Sequence, residues 1–505
     1  MRVIYHGFGR DYSREIISNL YRKYKWIPVS MTGVKLDKKN GVDEVPIDDC
    51  IISNPMHIRR AQFDYEKISP PIYIDDEILK KLSLFEGTYI EMLGVAQDAS
   101  GVLYPYSDRK DYFIDVLTYW NTIIHRKKPD IVVFYTWPHT PSCYALYLLA
   151  KYAYNIDVLF IDFVPLLDEW LHLIQCSLED LSYPLRLGAT DSNKGSTIKQ
   201  DVKPLQTIDE IPKHIKHEFS SFEKTKPLLY RLINTCKNKF QLSTLSKLSV
   251  IFNNDFIDWK ANVKPYYLPD SRMNRLQLFL LYEKIKLNNR KLKKYYHKHA
   301  HNPDLSSNFI YFSAPYQPEA LSMIGGSSFT NILLTLSVLS SACPDGWVIY
   351  YKEHPSTFFD SFKGSLKRSN SFYERISKLK NIKMVPSNFN QFELINNSKA
   401  VALVTGSAGW EAVNRGKPVI SFSQGWYTGL KGIINVESLQ DVHDAVRLIQ
   451  KGYKPNPFDV SQYAAIVRKL AFKFPEHYTQ EIFDKNRAEL IADEFYKAYL
   501  RFYSN

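Results

Sequence analysis

The residues best suited to chemistry in this 505-residue chain sit in three short segments of its second half. One is Thr405-Gly406-Ser407-Ala408-Gly409-Trp410-Glu411, which follows the apolar run Ala400–Val404 and leads to Gly416-Lys417-Pro418-Val419. A buried strand that runs into small residues and then a helix lets backbone approach a ligand closely. The free N–H groups at such a helix start favour an anion, typically a phosphate. Glu411 falls in the first helical turn, where it can accept bonds from ribose hydroxyls. The same pattern also fits a plain helix cap at Ser407 and tight packing at Gly409.

The second segment is Tyr350-Tyr351-Lys352-Glu353-His354-Pro355-Ser356. His354 follows a strand directly and Pro355 stiffens the backbone beside it. An imidazolium at His354, or the ammonium of Lys352, would neutralise a departing phosphate without a metal. The third is Ser313-Ala314-Pro315-Tyr316-Gln317-Pro318-Glu319, where two prolines fix a loop that presents Gln317 and Glu319.

These segments need strands to hold them. From Asn308 onward, apolar runs at Phe309–Phe312, Trp347–Tyr351, Ile382–Val385, Ala400–Val404 and Pro418–Phe422 alternate with helical stretches, the pattern of a doubly wound α/β domain. In an open parallel sheet, ligands bind beyond the carboxyl ends of the strands, so the three segments converge on one cleft. The first third alternates too: Arg2–Tyr5, a helix over Tyr12–Tyr24, a helix over Ile114–Arg126, then a strand–helix–strand unit spanning Asp130 to Phe163. Between these halves, 166–302 has no such alternation and reads as a mostly helical insertion and linker. The expected divisions are 1–165, 166–302, 303–475 and a C-terminal helix in 476–505 packing back on the first domain.

The formal net charge is +12, but it is not evenly spread. Ile211–Ala300 holds 19 Lys and Arg against 6 Asp and Glu, so the rest is near neutral. Five widely spaced cysteines with no CxxC or Cys/His ligand pattern fit reduced thiols in a cytosolic protein and no metal site. The chain lacks both the apolar core of a signal peptide and a spanning run.

The succession of QPE, then EHP, then TGSAGWEA and GKPV resembles the bacterial capsule polysaccharide biosynthesis family, whose best understood members are Kdo transferases acting from CMP-Kdo. The His-Pro pair followed by a Ser/Gly turn also looks like the nucleotide site of bacterial sialyltransferases of the GT-B fold. The resemblance covers roughly residues 308–432. It implies two Rossmann-like domains facing a cleft, the second holding a CMP-sugar that is a substrate, with no cofactor. It would place His354 on the CMP phosphate, and Ser407, Ala408 and Gly409 on phosphate or the donor carboxylate. Glu411 would lie near the ribose and Gln317 and Glu319 near the donor; Lys352, Glu353, Thr405 and Gly406 complete the donor-binding set. The Ser-Ser pair of sialyltransferases is Ser-Ala here, and the middle insertion is foreign to the general pattern.

The acceptor, a growing surface glycan or its lipid-linked precursor, would face the first domain. His6, His139 and Asp98 are the candidates there for a base. The basic segment suits a solvated helical face, an anionic membrane leaflet, or nucleic acid through lysines interleaved with Tyr295 and Tyr296. The resemblance favours the membrane surface or a polyanionic glycan, and no nucleic-acid-binding signature accompanies the charge. Competing readings are a nucleotide-sugar 2-epimerase-like enzyme and a non-catalytic polysaccharide assembly or binding protein on the same fold.

Overall fold

The computed structural model describes residues 1–9, 11–33, 45–59, 63, 68–93, 106–166, 169–183, 185, 275–317, 320–325, 327–359, 364–473 and 485–504. Its chain forms two six-stranded sheets.

The first sheet contains β1 (Arg2–His6), β2 (Ile27–Thr32), β3 (Ile51–Ser53), β4 (Ile131–Phe134), β5 (Asp157–Leu166) and β6 (Glu169–Gln175). Their order is β3-β2-β1-β4-β5-β6. Five strands are parallel, and β6 returns antiparallel along β5. Helices α1 (Asp11–Tyr24), α2 (Pro55–Arg59), α3 (Asp76–Glu91), α4 (Tyr106–Lys127) and α5 (Pro141–Leu148) connect them. All four residues of β4 are buried, as a strand covered on both faces requires. The sheet therefore continues past residue 165: an antiparallel hairpin needs only a tight turn, and β6 uses it to extend the edge.

The second sheet is wholly parallel. It contains β7 (Phe309–Ser313), β8 (Val348–Lys352), β9 (Ile382–Val385), β10 (Ala400–Leu403), β11 (Val419–Ser421) and β12 (Ile433–Asn435), in the order β12-β11-β10-β7-β8-β9. Both sheets place their earliest strand at the centre and grow outward to each side, as Rossmann-like sheets do. Neighbours at the centre are β1 and β4 in one sheet and β7 and β10 in the other, and crevices open at such switch points.

Preceding β7 is α6 (Arg275–His299), part of the segment expected as an insertion. Ile285, Asn289, Leu292 and Tyr296 recur at helical spacing and are buried. Tyr296 is wholly enclosed in the second domain's core, and its hydroxyl donates to the carbonyl of Val385 at 2.6 Å. It is a core residue and not a stacking platform for bases, and this helix is an integral layer of the second domain. The remaining helices are α7 (Ala320–Gly325), α8 (Ile332–Ala342), α9 (Asn370–Ser377), α10 (Gln391–Asn397), α11 (Ala408–Asn414), α12 (Leu439–Gln450), α13 (Pro457–Leu470) and α14 (Lys485–Tyr503).

The two domains meet at several places. Met323 and Ile324 of α7 pack into the first domain's core cluster, which contains Trp137 and Cys143. Lys367, in the loop before α9, pairs with Glu91 at the end of α3. The chain then returns: α14 lies on α1, with Tyr496 stacked on Tyr24 at 3.8 Å and Lys23 held by Asp493 at 2.6 Å and Glu489 at 2.9 Å.

Candidate functional site

Strand alternation sends consecutive side chains of β8 to opposite faces, and the strand end continues the pattern with opposite chemical results. Glu353 points to the side covered by α6 and α9 and is fully buried. Its carboxylate accepts from Arg368 Nε at 2.9 Å, Tyr351 Oη at 2.6 Å and Tyr373 Oη at 2.9 Å. It also accepts from the His354 N–H at 3.1 Å and Thr357 Oγ1 at 3.2 Å. Burial alone would raise this carboxyl, but the Arg368 guanidinium and the two tyrosine hydroxyls outweigh it and hold it below the usual range. Arg368 donates its next N–H to Gln317 Oε1 at 2.9 Å, and Gln317 Nε2 donates to the carbonyl of Thr330 at 3.1 Å. Gln317 and Glu353, both expected to bind the donor, are thus enclosed and engaged by protein groups. They tie the ends of β7 and β8 together, which is a positioning role.

Lys352 points to the other side, toward Glu411. It is 6% exposed, and its ammonium makes no hydrogen bond or ion pair among the described residues. Burial pushes its pKa down to about 8, against the opposing pull of Glu353 and Glu411. An ammonium buried with no direct partner among the described residues carries a desolvation cost that a bound anion would offset.

His354, next along, accepts at Nδ1 from the N–H of Ser356 at 3.2 Å. That bond places the proton on Nε2, making the ring a neutral donor. Burial, reinforced by the Lys352 ammonium, pushes the ring pKa down to about 4. The ring is therefore a neutral imidazole at neutral pH and not the expected imidazolium, chiefly because burial penalises the charged form and secondly because the neighbouring Lys352 ammonium repels it.

The glycine-rich turn lies across the switch point, at the end of β10. Gly406 has φ +128°, which only glycine adopts without strain, and its carbonyl accepts from Tyr427 Oη at 2.6 Å. A Cβ on Gly409 would lie 2.8 Å from the same hydroxyl, so this glycine makes room for Tyr427 and not for a ligand. Ser407 is exposed, as is Gly406, while Ala408 is buried. Ser407 does not cap α11; its hydroxyl donates to Glu411 Oε1 at 2.8 Å, and Gln391 Nε2 donates to Oε2 at 3.1 Å. Burial raises the Glu411 carboxyl despite Ser407, Arg415 and Lys352. With only seven residues, α11 has a short dipole, so Lys352 supplies the positive charge of this crevice. Thr405 is half-buried at the turn's start.

The first domain presents two of its three candidates at its own switch point. His139 follows β4 and is half-buried; its Nδ1–H donates to the carbonyl of Trp137 at 2.6 Å, which makes Nε2 the proton-accepting nitrogen. His6 ends β1, is buried against Trp120 and Phe134, and lies 2.6 Å from Thr32 Oγ1 through Nδ1. His139 has the better tautomer and exposure for a base. Asp98 and Glu319 lie outside the described residues.

Arg368, Tyr373, Tyr296 and Tyr427 complete the site and carry no local signal. Arg368 lies in an ordinary polar turn, Ser365-Leu366-Lys367-Arg368-Ser369. For Tyr427 there is only the pairing of an aromatic residue with the nearby Gly425.

Two Rossmann-like domains joined by a returning C-terminal helix, with polar strand ends at each switch point, define a protein of the GT-B architecture. Residues 276–454, most of the second domain, match the model of the family described as capsule polysaccharide biosynthesis protein. No curated protein matches the sequence. Similar solved structures include the KpsC beta Kdo 2,7 transferase of Thermosulfurimonas dismutans, 17% identical with a TM-score of 0.21. That alignment covers 37% of this chain and 62% of the transferase, so this chain spans less than two thirds of that protein's length. Another is the UDP-GlcNAc 2-epimerase of Methanocaldococcus jannaschii, 14% identical with a TM-score of 0.24, covering 93% of this chain and 98% of that one. Among the described residues no helix is long and apolar enough to cross a membrane, and no group of His, Cys, Asp and Glu could hold a metal ion.

Proposed function

We propose that this protein is a glycosyltransferase that moves Kdo or a related 2-keto sugar acid from its CMP ester to a capsular or other surface glycan, or to the lipid-linked precursor of one. The observation that carries this reading is the buried Lys352 ammonium, with no direct partner among the described residues, beside the Nε2–H tautomer of His354 at the end of a central strand. Together they offer one charge and one directed donor to a phosphate. Ser407 and Thr405 lie across the switch point, and the Glu411 carboxylate, already shared with Ser407 and Gln391, is placed for ribose hydroxyls.

In the transfer, the bond from the anomeric carbon to the CMP phosphate oxygen breaks and the acceptor oxygen bonds to that carbon. The electron pair of the broken bond leaves on CMP, where Lys352 and His354 stabilise it; the acceptor proton passes to His139 Nε2. Preorganised donors aimed at a developing oxyanion usually contribute most to such catalysis. Gln317, Arg368 and Glu353 act one layer behind, fixing the strand ends.

A thermal-shift panel of CMP, UDP and GDP tests the reading. CMP is expected to raise the melting temperature, and CMP release from CMP-Kdo is expected to need Lys352 and His354. Stabilisation by UDP alone, or conversion of UDP-GlcNAc to its manno epimer, would overturn it in favour of an epimerase. No response to any nucleotide would favour a non-catalytic assembly protein.

A further inference from the structure

One side of α6 faces the core, and the other carries a row of basic residues. Lys284, Lys291, Lys294 and Lys298 are exposed there and have no hydrogen bond or ion pair among the described residues. At ~100° per residue they and Leu287 fall within an arc of about 80°, on the side away from Ile285, Asn289, Leu292 and Tyr296. The arc runs for about 21 Å along the helix. The acids nearest to it are already engaged: Glu283 is buried and pairs with Lys286 at 2.8 Å, and Glu374 accepts from Tyr295 Oη at 3.0 Å.

We propose that this face of α6 docks the protein on an anionic lipid bilayer. Four exposed ammonium groups in a row, unpaired among the described residues, match a diffuse negative surface, and lysine suits it as a hydrated point charge without the planar fork that recognises single phosphates. Leu287 stands among them with 48% of its surface exposed. An apolar side chain between lysines finds a partner in the bilayer interface, where lysine stems can also lie along the acyl boundary. It finds none on a nucleic acid or a charged glycan. Aromatic stacking, which a nucleic acid would use, is missing from the stripe because Tyr296 is buried and Tyr295 is tied to Glu374. The proposal is independent of the donor and reaction.

The test uses the full chain and vesicle flotation. The wild-type protein is expected to float with vesicles of mixed phosphatidylcholine and phosphatidylglycerol at low salt, to be released as salt rises, and to ignore pure phosphatidylcholine. Each lysine neutralised is expected to weaken partitioning roughly fivefold, about 1 kcal/mol. The quadruple variant Lys284→Gln/Lys291→Gln/Lys294→Gln/Lys298→Gln should therefore lose binding several hundredfold, by the same per-residue increment. All four positions are exposed, so its melting temperature should not move; Leu287→Gln should weaken binding less. A quadruple variant that floats like the wild type would overturn the proposal. So would a wild-type protein that ignores both vesicle types but binds dextran sulfate or a single-stranded oligonucleotide through these lysines, which would make the partner a soluble polyanion.

Discussion

Lys352 and Glu353 are adjacent in the chain and opposite in circumstance. Glu353 looks toward α6 and α9, where a guanidinium, three hydroxyls and a backbone N–H satisfy its carboxylate. Lys352 looks toward α11, where it is nearly as dry and has no direct partner among the described residues. A fold that could bury both ionic groups has compensated only one. A saturated buried charge holds structure; an uncompensated one waits for a ligand. The contrast separates the side of the strand end that builds the site from the side that works in it.

The sharpest way to break that division is to remove each side's cation. Arg368→Ala strands the buried Glu353 carboxylate and frees Gln317 Oε1, so a loss of about 3–5 kcal/mol in unfolding free energy is expected. Denaturant or thermal unfolding measures it. A variant that unfolds like the wild type would remove the structural half of the comparison. His354→Ala should leave the fold standing and cut kcat by about 10²–10³, the usual effect of losing one oxyanion donor. Single-turnover CMP release reads it, and an unaltered rate would take His354 out of the machinery.

Lys352→Met should do something no purely structural cation does: stabilise the protein while weakening it as an enzyme. The native ammonium titrates at about 8 against an ordinary value of 10.5. The folded state therefore disfavours the charge, at a cost on the order of 1–3 kcal/mol. This cost is present in full below pH about 8. It fades as the unfolded chain holds a proton that the folded one has shed, and is gone above about 10.5. The gain from Lys352→Met should follow that window, larger at pH 7 than at pH 10. Wild-type activity moves against wild-type stability: where the ammonium meets the phosphate, kcat/KM falls as pH rises through about 8 while the stability penalty fades, and the variant lacks both changes. His354, neutral above about 4, adds no limb between.

The legibility of the molecule follows the same line. Strands β7, β8, β10 and β11 of the second sheet are apparent in the sequence because burial on both faces makes them largely apolar runs, and edge strand β9 shows through Ile382, Met384 and Val385 around the exposed Lys383. In contrast, β2 is Ile27-Pro28-Val29-Ser30-Met31-Thr32, and its proline and hydroxyl residues disguise a strand whose last five residues are buried. β6 hides for another reason, since an antiparallel return breaks the alternation of strand and helix. His354-Pro355 and the Thr405–Glu411 turn can be picked out because strand-end prolines and glycines are local features. The Arg368 contact with Glu353 depends on tertiary packing, and Arg368 looks no different from Lys367 beside it. The lysines of α6 show in the charge count, but only the burial of Ile285, Asn289, Leu292 and Tyr296 separates its core face from its free one.

The smallest expected effect lies at the turn where the two sides of the site meet. Tyr427 reaches from the loop after β11 to the carbonyl of Gly406, and its ring fills the space a side chain at Gly409 would need. Tyr427→Phe keeps the ring and removes only the hydroxyl. About 1 kcal/mol of stability should be lost with that one hydrogen bond. Because the bond fixes the positive-φ turn that carries Ser407, the variant should also raise the CMP dissociation constant by up to about tenfold, with kcat little changed. Gly409→Ala pushes on the ring and should cost more, about 1–3 kcal/mol, the usual effect of overpacking. Isothermal titration of both variants with CMP, alongside thermal melts, decides the matter. If Tyr427→Phe weakens the fold but not CMP binding, the Ser407 turn belongs with Glu353 to the supporting side, and Lys352 and His354 alone face the ligand.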